Sequence, residues 1–259
     1  MSLSVDHLSF GFSCRKVLDN VCFRAENGNL VCLLGSNGAG KSTLFRCILG
    51  ILPYRQGSVR VDGKEILSLP VKERARKIAY IPQSHSDVFP YSALEMVLMG
   101  TASQLGCFSS PGREQVARAR KAMELLGICH LERCSYSRLS GGERQLVLIA
   151  RAVAQQTGVL IMDEPCSSLD YGNQLHILEQ MKNLARQGYL VLMSTHNPEQ
   201  ALLFADQVLV LRNHRIICSG SPKEVLSDSL LEQIYGVPVS VHRVGAVPVC
   251  IPHLTGNRG

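Results

Sequence analysis

The chain has 259 residues, room for one large domain or two small ones with a sizeable core. Hydrophobic residues at 46% and charged residues at 19% exclude a disordered or fibrous polymer. The 27 Lys and Arg against 21 Asp and Glu leave a net charge of +6, too small to single out a nucleic-acid binder.

In chain order, residues 5–10 and 21–25 read as short strands of a curved antiparallel sheet, with Asn27-Gly28 as the turn that follows. Leu30–Leu34 is an unbroken apolar run that stops at a glycine-rich stretch, after which residues 41–49 read as a helix. Residues 92–127 hold no convincing strand but carry Val116, Ala119, Met123 and Leu126 at helical spacing, so they read as an inserted helical subdomain. Its loop at 107–112 is rich in Ser, Pro and Gly and is expected at the surface. Val159–Met162 and residues 189–193 are apolar runs of the kind buried on both faces of a parallel sheet. Leu175, Leu178, Met181 and Ala185 between them mark a crossover helix, which completes a βαβ core. From residue 240 onward the strand signals are weak.

No apolar run approaches the ~18–20 residues that cross a bilayer, because those at 159–162 and 208–211 are soon interrupted. The first residues have neither the basic nor the apolar region of a secretory signal, so a cytoplasmic location is expected. Ten cysteines are scattered singly through apolar contexts, without a CxxC pair. The nearest approach to a metal-ligand cluster is Cys129-His130-Leu131-Glu132-Arg133-Cys134, which lacks a second half. Reduced structural thiols are the expectation.

Gly35-Ser36-Asn37-Gly38-Ala39-Gly40-Lys41-Ser42-Thr43 has the spacing of a phosphate-binding loop and lies between a strand and a helix. Its glycines let successive N–H groups converge, and the helix N-terminus adds a dipole that favours anions. Lys41 is placed to reach the β- and γ-phosphates, and the Ser42 hydroxyl to ligate Mg²⁺. Asp163 and Glu164 close the apolar strand Val159–Met162, at the sheet end where ligands gather. Asp163 suits Mg²⁺, and Glu164 can polarise a water for attack on the γ-phosphate. A second helix N-terminus with a serine cap and two glycines follows Leu139: Ser140-Gly141-Gly142-Glu143. Two anion-binding helix ends are hard to reconcile with one nucleotide in one closed monomer.

Leu139-Ser140-Gly141-Gly142-Glu143 resembles the signature motif of ABC-type ATPases, with Glu143 where the family usually has Gln. The resemblance extends along nearly the whole chain in family order. Phe12 matches the aromatic that stacks on adenine, although Tyr is more usual. Gln83 in Tyr80-Ile81-Pro82-Gln83 matches the glutamine that touches Mg²⁺ and the attacking water and links them to a transmembrane partner. Ser167-Ser168-Leu169-Asp170 matches the loop that crosses the dimer interface, and His196 the histidine that holds the γ-phosphate and orients the water. Singly, Phe12 reads equally as an apolar anchor, His196 as a strand-end histidine and Gln83 as a solvated residue; the ordered set favours the functional reading. Ser36 in place of Pro and Cys166 in place of Thr remove no phosphate or Mg²⁺ contact.

The resemblance implies an α/β fold, a P-loop NTPase cassette with a RecA-like parallel-sheet core, an N-terminal antiparallel β-subdomain and an inserted α-helical subdomain. The cassette is expected over residues 1–240, with the helical insert at about 84–142 and a C-terminal extension at 241–259. It implies ATP and Mg²⁺ as ligands, and the lack of an Asn-Lys-x-Asp motif favours ATP over GTP. Two copies would pair head to tail, so that ATP on residues 35–43 of one is covered by Ser140 and Gly142 of the other. The implied partners are a polytopic membrane permease and an extracellular or periplasmic substrate-binding protein, with no nucleic acid, at the cytoplasmic face of the cell membrane. The stretch 88–100, the run Leu169-Asp170-Tyr171-Gly172-Asn173-Gln174 and the late hairpin with Gly220-Ser221-Pro222 resemble importers of iron–siderophore, haem, cobalamin and related substrates. The competing expectation is a soluble ABC ATPase of iron–sulfur cluster assembly or nucleic-acid maintenance.

Overall fold

A computed structural model of the chain describes residues 2–13, 15–83, 90–105 and 110–253. Its centre is a six-stranded sheet in the order β10-β9-β3-β8-β7-β6, made of β3 (Leu30–Leu34), β6 (Ile78–Ile81), β7 (Val159–Met162), β8 (Leu190–Thr195), β9 (Gln207–Arg212) and β10 (Arg215–Gly220). Five strands run parallel, and β10 returns antiparallel on β9 at the edge. Every residue of β3, β7 and β8 is buried. Period-two alternation still operates inside these apolar runs. Leu30, Cys32 and Leu34 face one core with Met162 and Met193, while Val31 and Leu33 face another with Ile161 and Leu192.

The second core is closed by α1 (Lys41–Ile48) and by a four-stranded antiparallel sheet, β2-β1-β4-β5. That sheet comprises β1 (Ser2–Phe12), β2 (Arg15–Glu26), β4 (Gln56–Val61) and β5 (Lys64–Glu65); the short α2 (Val71–Ala75) follows it. The first two strands are longer than the sequence pattern indicates. Register shifts between Val5 and Leu8 and between Leu8 and Phe10 break the alternation that would have revealed their full length.

The first core is closed by helices. The insert expected at 92–127 supplies α3 (Ala93–Leu98) and α4 (Arg113–Leu125), which pack on α5 (Gly141–Ala154). The Ser92 hydroxyl accepts from Glu95 N–H while the Ser92 N–H donates to Glu95, a reciprocal cap that starts α3. Helix α5 carries Val147, Ile149, Ala150 and Val153 into the core and so joins the insert to the central sheet. The crossover helix is α6 (Tyr171–Arg186), whose buried residues are Ile177, Leu178, Met181, Leu184 and Ala185. Leu175, expected on that stripe, is only half-buried, one turn too near the exposed N-terminus. Then come α7 (Pro198–Phe204), α8 (Pro222–Val225) and α9 (Asp228–Tyr235). The weak strand signals near the end resolve into a hairpin, β11 (Val239–Val244) with β12 (Val247–Pro252), packed on α7 and α9. Of the expected surface loop at 107–112, residues 107–109 lie outside the described residues, as do 88–89 and 254–259.

Among the described residues no helix is long and apolar enough to cross a membrane. No group of three or more His, Cys, Asp and Glu among them is placed to hold a metal. Cys129 and Cys134 are exposed free thiols, whereas burial pushes the Cys47 and Cys166 thiols up to about 12.

Candidate active site

Four neighbouring strands deliver their carboxyl ends to one cleft. The glycine-rich loop follows β3, Gln83 follows β6, Asp163 and Glu164 follow β7, and His196 follows β8. Residues more than a hundred positions apart thus meet because their strands are adjacent and parallel.

The cleft, of about 470 Å³, is lined by Phe12 and Arg15 on one side, by Asn37, Gly38, Gly40, Lys41, Ser42 and Thr43 below, and by Gln83 and Glu164 opposite. Gly40 caps α1 at φ 107°, a left-handed conformation that favours glycine, and it turns the loop into the helix. Lys41 is 4% exposed, yet its ammonium is well matched: it donates to the Gly35 carbonyl at 2.9 Å and the Ser36 carbonyl at 3.2 Å, and lies 3.2 Å from Glu164 Oε1. Glu164 is the hub. Gln83 Nε2 donates to its Oε2 at 3.3 Å, and His196 Nδ1 lies 3.3 Å from the same oxygen. Its backbone sits at φ 46°, an uncommon angle outside glycine and one often found at functional positions.

Asp163 is 3% exposed. Its Oδ1 accepts from Ser194 Oγ at 2.6 Å, and that same hydroxyl accepts from Glu164 N–H at 2.9 Å. Burial, then the nearby Asp163 carboxylate, push the Tyr80 phenol up. Ser194 thus aligns both acids. It is a polar residue buried at the end of an apolar strand, and that misfit with its neighbours is the signal by which the sequence could have singled it out.

Phe12 stands at the mouth, 50% exposed, with Phe10 packed edge-on against it at 4.9 Å. Such a ring offers a face to a flat ligand. Arg15 shares the mouth without belonging to any motif.

Of the predicted residues, Gly35, Ser36, Ala39, Asp163 and His196 adjoin this cleft without lining it, Ser36 and His196 lining a neighbouring one, while Ser140, Gly141, Gly142, Glu143 and Asp170 line neither. These last form a second unit. Ser140 caps α5 by accepting from Glu143 N–H at 3.3 Å, and Glu143 Oε2 accepts from Ser140 N–H at 2.8 Å. The Ser140 N–H and hydroxyl hold the Glu143 carboxyl below its ordinary value, so the Glu in place of Gln closes the cap. Asp170 caps α6, its Oδ1 accepting from Asn173 N–H at 2.9 Å, while Asn173 Nδ2 donates to Oδ2 at 2.6 Å. A side chain at Gly142 would place Cβ 2.4 Å from Asn173 Oδ1, so the glycine makes room for the Asn173 side chain that holds Asp170.

On the far side of His196 stands a part of the chain in which the sequence indicated no role. The Tyr235 hydroxyl, at the end of α9, donates to the His196 carbonyl at 2.8 Å. Cys250 N–H, from β12, donates to Glu199 Oε1 at 3.1 Å. A phenol close before a glycine helix stop gives no sequence cue to this contact.

Comparison with known proteins agrees with this geometry. The family model for ABC transporters matches residues 18–167. An ABC transporter ATP-binding protein of Haemophilus influenzae is 41% identical over 235 residues, which cover 91% of this chain and 89% of that protein. The ferric enterobactin transport ATP-binding protein FepC of Escherichia coli is 32% identical over 95% of this chain and 92% of its own. Among solved structures, an inward-facing ABC transporter described as of metal-chelate type superposes with a TM-score of 0.88 at 30% identity, over 98% of both chains.

Proposed function

The chain belongs to the ABC transporter family and is an ATP-binding, ATP-hydrolysing subunit of it; from that premise we propose that it powers uptake of a metal chelate, of the iron–siderophore kind, through a separate membrane permease. The observation that carries the hydrolytic reading is Glu164, held by Lys41, Gln83 and His196 at the ends of adjacent parallel strands. The substrate class rests on likeness to the enterobactin subunit and to the metal-chelate transporter.

The geometry is consistent with the following roles. Phe12 stacks on the adenine, and backbone N–H groups of Gly35, Ser36, Asn37, Gly38, Ala39, Gly40, Ser42 and Thr43 cradle the phosphates. Lys41, which now satisfies two carbonyls and a carboxylate, turns its ammonium to the β- and γ-phosphates. Glu164 accepts a proton from the attacking water, His196 orients that water and holds the γ-phosphate, and Gln83 positions it. Ser42, Gln83 and Asp163 present a hydroxyl, an amide and a carboxylate, an all-oxygen donor set that fits Mg²⁺. Bound there, Mg²⁺ would neutralise charge on the phosphate oxygens.

Ser140, Gly141, Gly142, Glu143 and Asp170 lie off this cleft and act on the nucleotide of a second copy, in a head-to-tail dimer. The cassette spans 1–240, the helical insert runs from about 84 to 142, and 241–259 form an extension. Exposed Tyr91 and Met99 beside α3 suit a docking surface for the permease at the cytoplasmic face of the membrane. An extracellular or periplasmic binding protein would deliver the chelate, and no nucleic acid is involved. Affinity capture of the tagged chain from solubilised membranes tests the assignment. Identification of a polytopic permease in the complex is expected, whereas a soluble cluster-assembly scaffold would favour the competing reading.

A further inference from the structure

Between the loop carrying His196 and the loop carrying Asp170 runs a chain of side-chain hydrogen bonds that the hydrolytic roles above leave unused. Asn197 N–H donates to Thr195 Oγ1 at 3.0 Å, and Thr195 Oγ1 donates to Gln200 Oε1 at 2.7 Å. Gln200 Nε2 donates to Gln174 Oε1 at 3.3 Å, and Gln174 Nε2 donates to the Leu169 carbonyl at 2.8 Å. The polarity is consistent along the whole path, each amide accepting through oxygen and donating through nitrogen.

The two ends have different surroundings. Thr195 and Asn197 flank His196, which touches Glu164. Leu169 precedes Asp170, and its side chain would lie 3.2 Å from a Cβ at Gly141, against the serine-capped end of α5. Thr195 is buried and the two glutamines are half-buried, so a broken link would leave amide groups short of partners. Both amides bridge elements, because Gln174 stands in the first turn of α6 and Gln200 in the first turn of α7.

We propose that Gln174 and Gln200 are positioning residues that couple the two loops, so that engagement of residues 167–170 by a second copy sets the His196 backbone of the same chain. This rests on the head-to-tail reading above. The arrangement couples the two ATP sites of a dimer: the loop that meets the partner is tied to the histidine serving the chain's own nucleotide.

The test uses the full chain with Gln174→Leu, Gln200→Leu, their combination, and Gln200→Glu. The last keeps the acceptor for Thr195 and the size of the side chain, and sets a charged oxygen in place of the donor to Gln174. ATP hydrolysis by the wild type is expected to be cooperative, with a Hill coefficient approaching about 2. In each single variant the coefficient is expected to fall towards about 1 and kcat by about fivefold, with KM for ATP within about twofold. The double variant should be no worse than either single one, since both break the same path. A merely structural role would lower the melting temperature and leave cooperativity intact. ATP-dependent dimers of Glu164→Gln, with and without Gln174→Leu, separate the two levels of the argument. Dimers that persist while wild-type cooperativity and kcat are retained in Gln174→Leu and Gln200→Glu would overturn the coupling alone. Absence of dimers in Glu164→Gln itself would overturn the head-to-tail reading and the coupling with it.

Discussion

Replacing Glu164 by Gln removes one charge and changes little else in shape. The carboxylate is 12% exposed and touches Lys41 at 3.2 Å and both Gln83 and His196 at 3.3 Å. As a general base it is expected to contribute about 10²–10⁴ in rate, or roughly 3–5 kcal/mol on the barrier at about 1.36 kcal/mol per decade. Binding should respond in the opposite sense. A γ-phosphate brought within about 4 Å of Glu164 is repelled by roughly 4 kcal/mol at an effective dielectric constant of about 20, an effect that Lys41 partly offsets. Neutralising Glu164 also frees the Lys41 ammonium from a competitor. ATP affinity is therefore expected to hold or tighten while turnover collapses, and the ATP-bound dimer should accumulate. Steady-state phosphate release, nucleotide titration and light scattering report the three effects separately. Turnover within about threefold of wild type would refute the base assignment, because a positioned base contributes far more than that.

Lys41→Ala removes charge-assisted bonds worth about 1.5–3 kcal/mol each, so ATP binding should weaken by about a hundredfold, as a fluorescent nucleotide titration would show. Gly142→Ala drives a Cβ into Asn173 and should pull that side chain off Asp170, lowering ATP-dependent dimerisation by about tenfold while the chain stays folded. A dimerisation constant equal to wild type would remove the interlock between these two segments. Asp170 has a carboxyl held below its ordinary value of 3.8, first by the Asn173 N–H and then by the Asn173 side chain. Its folded pKa is depressed, so its stabilisation is present above 3.8 and is lost as pH falls through the lower folded value. Thermal melts should accordingly show Asp170→Ala least stable relative to wild type near neutral pH, with the gap closing towards strong acid.

Much of this molecule is legible in its sequence for identifiable reasons. The runs Leu30–Leu34 and Val159–Met162 are apolar throughout because both faces of the central sheet are covered. The catalytic candidates follow those runs directly, since a parallel sheet gathers its strand ends in one place. Where the pattern fails, geometry intervenes. The bulges between Val5 and Phe10 hide the length of β1, and α6 buries Ile177 and Leu184, residues that the stripe of Leu175, Leu178, Met181 and Ala185 passes over. Ser194 is visible as a misplaced polar residue, but Tyr235 and the Gln174–Gln200 pair are not. Their partners lie on separate elements whose packing no local spacing encodes.

The most direct test of the account is transport by the assembled machine. The chain, co-purified with its permease and reconstituted in vesicles with the ATP-binding side accessible, should take up a ferric siderophore into the compartment holding ATP. Uptake should require hydrolysable ATP and vanish in the Glu164→Gln complex despite retained nucleotide binding. A permease complex that hydrolyses ATP but moves no metal chelate, or moves one in the outward direction, would contradict it.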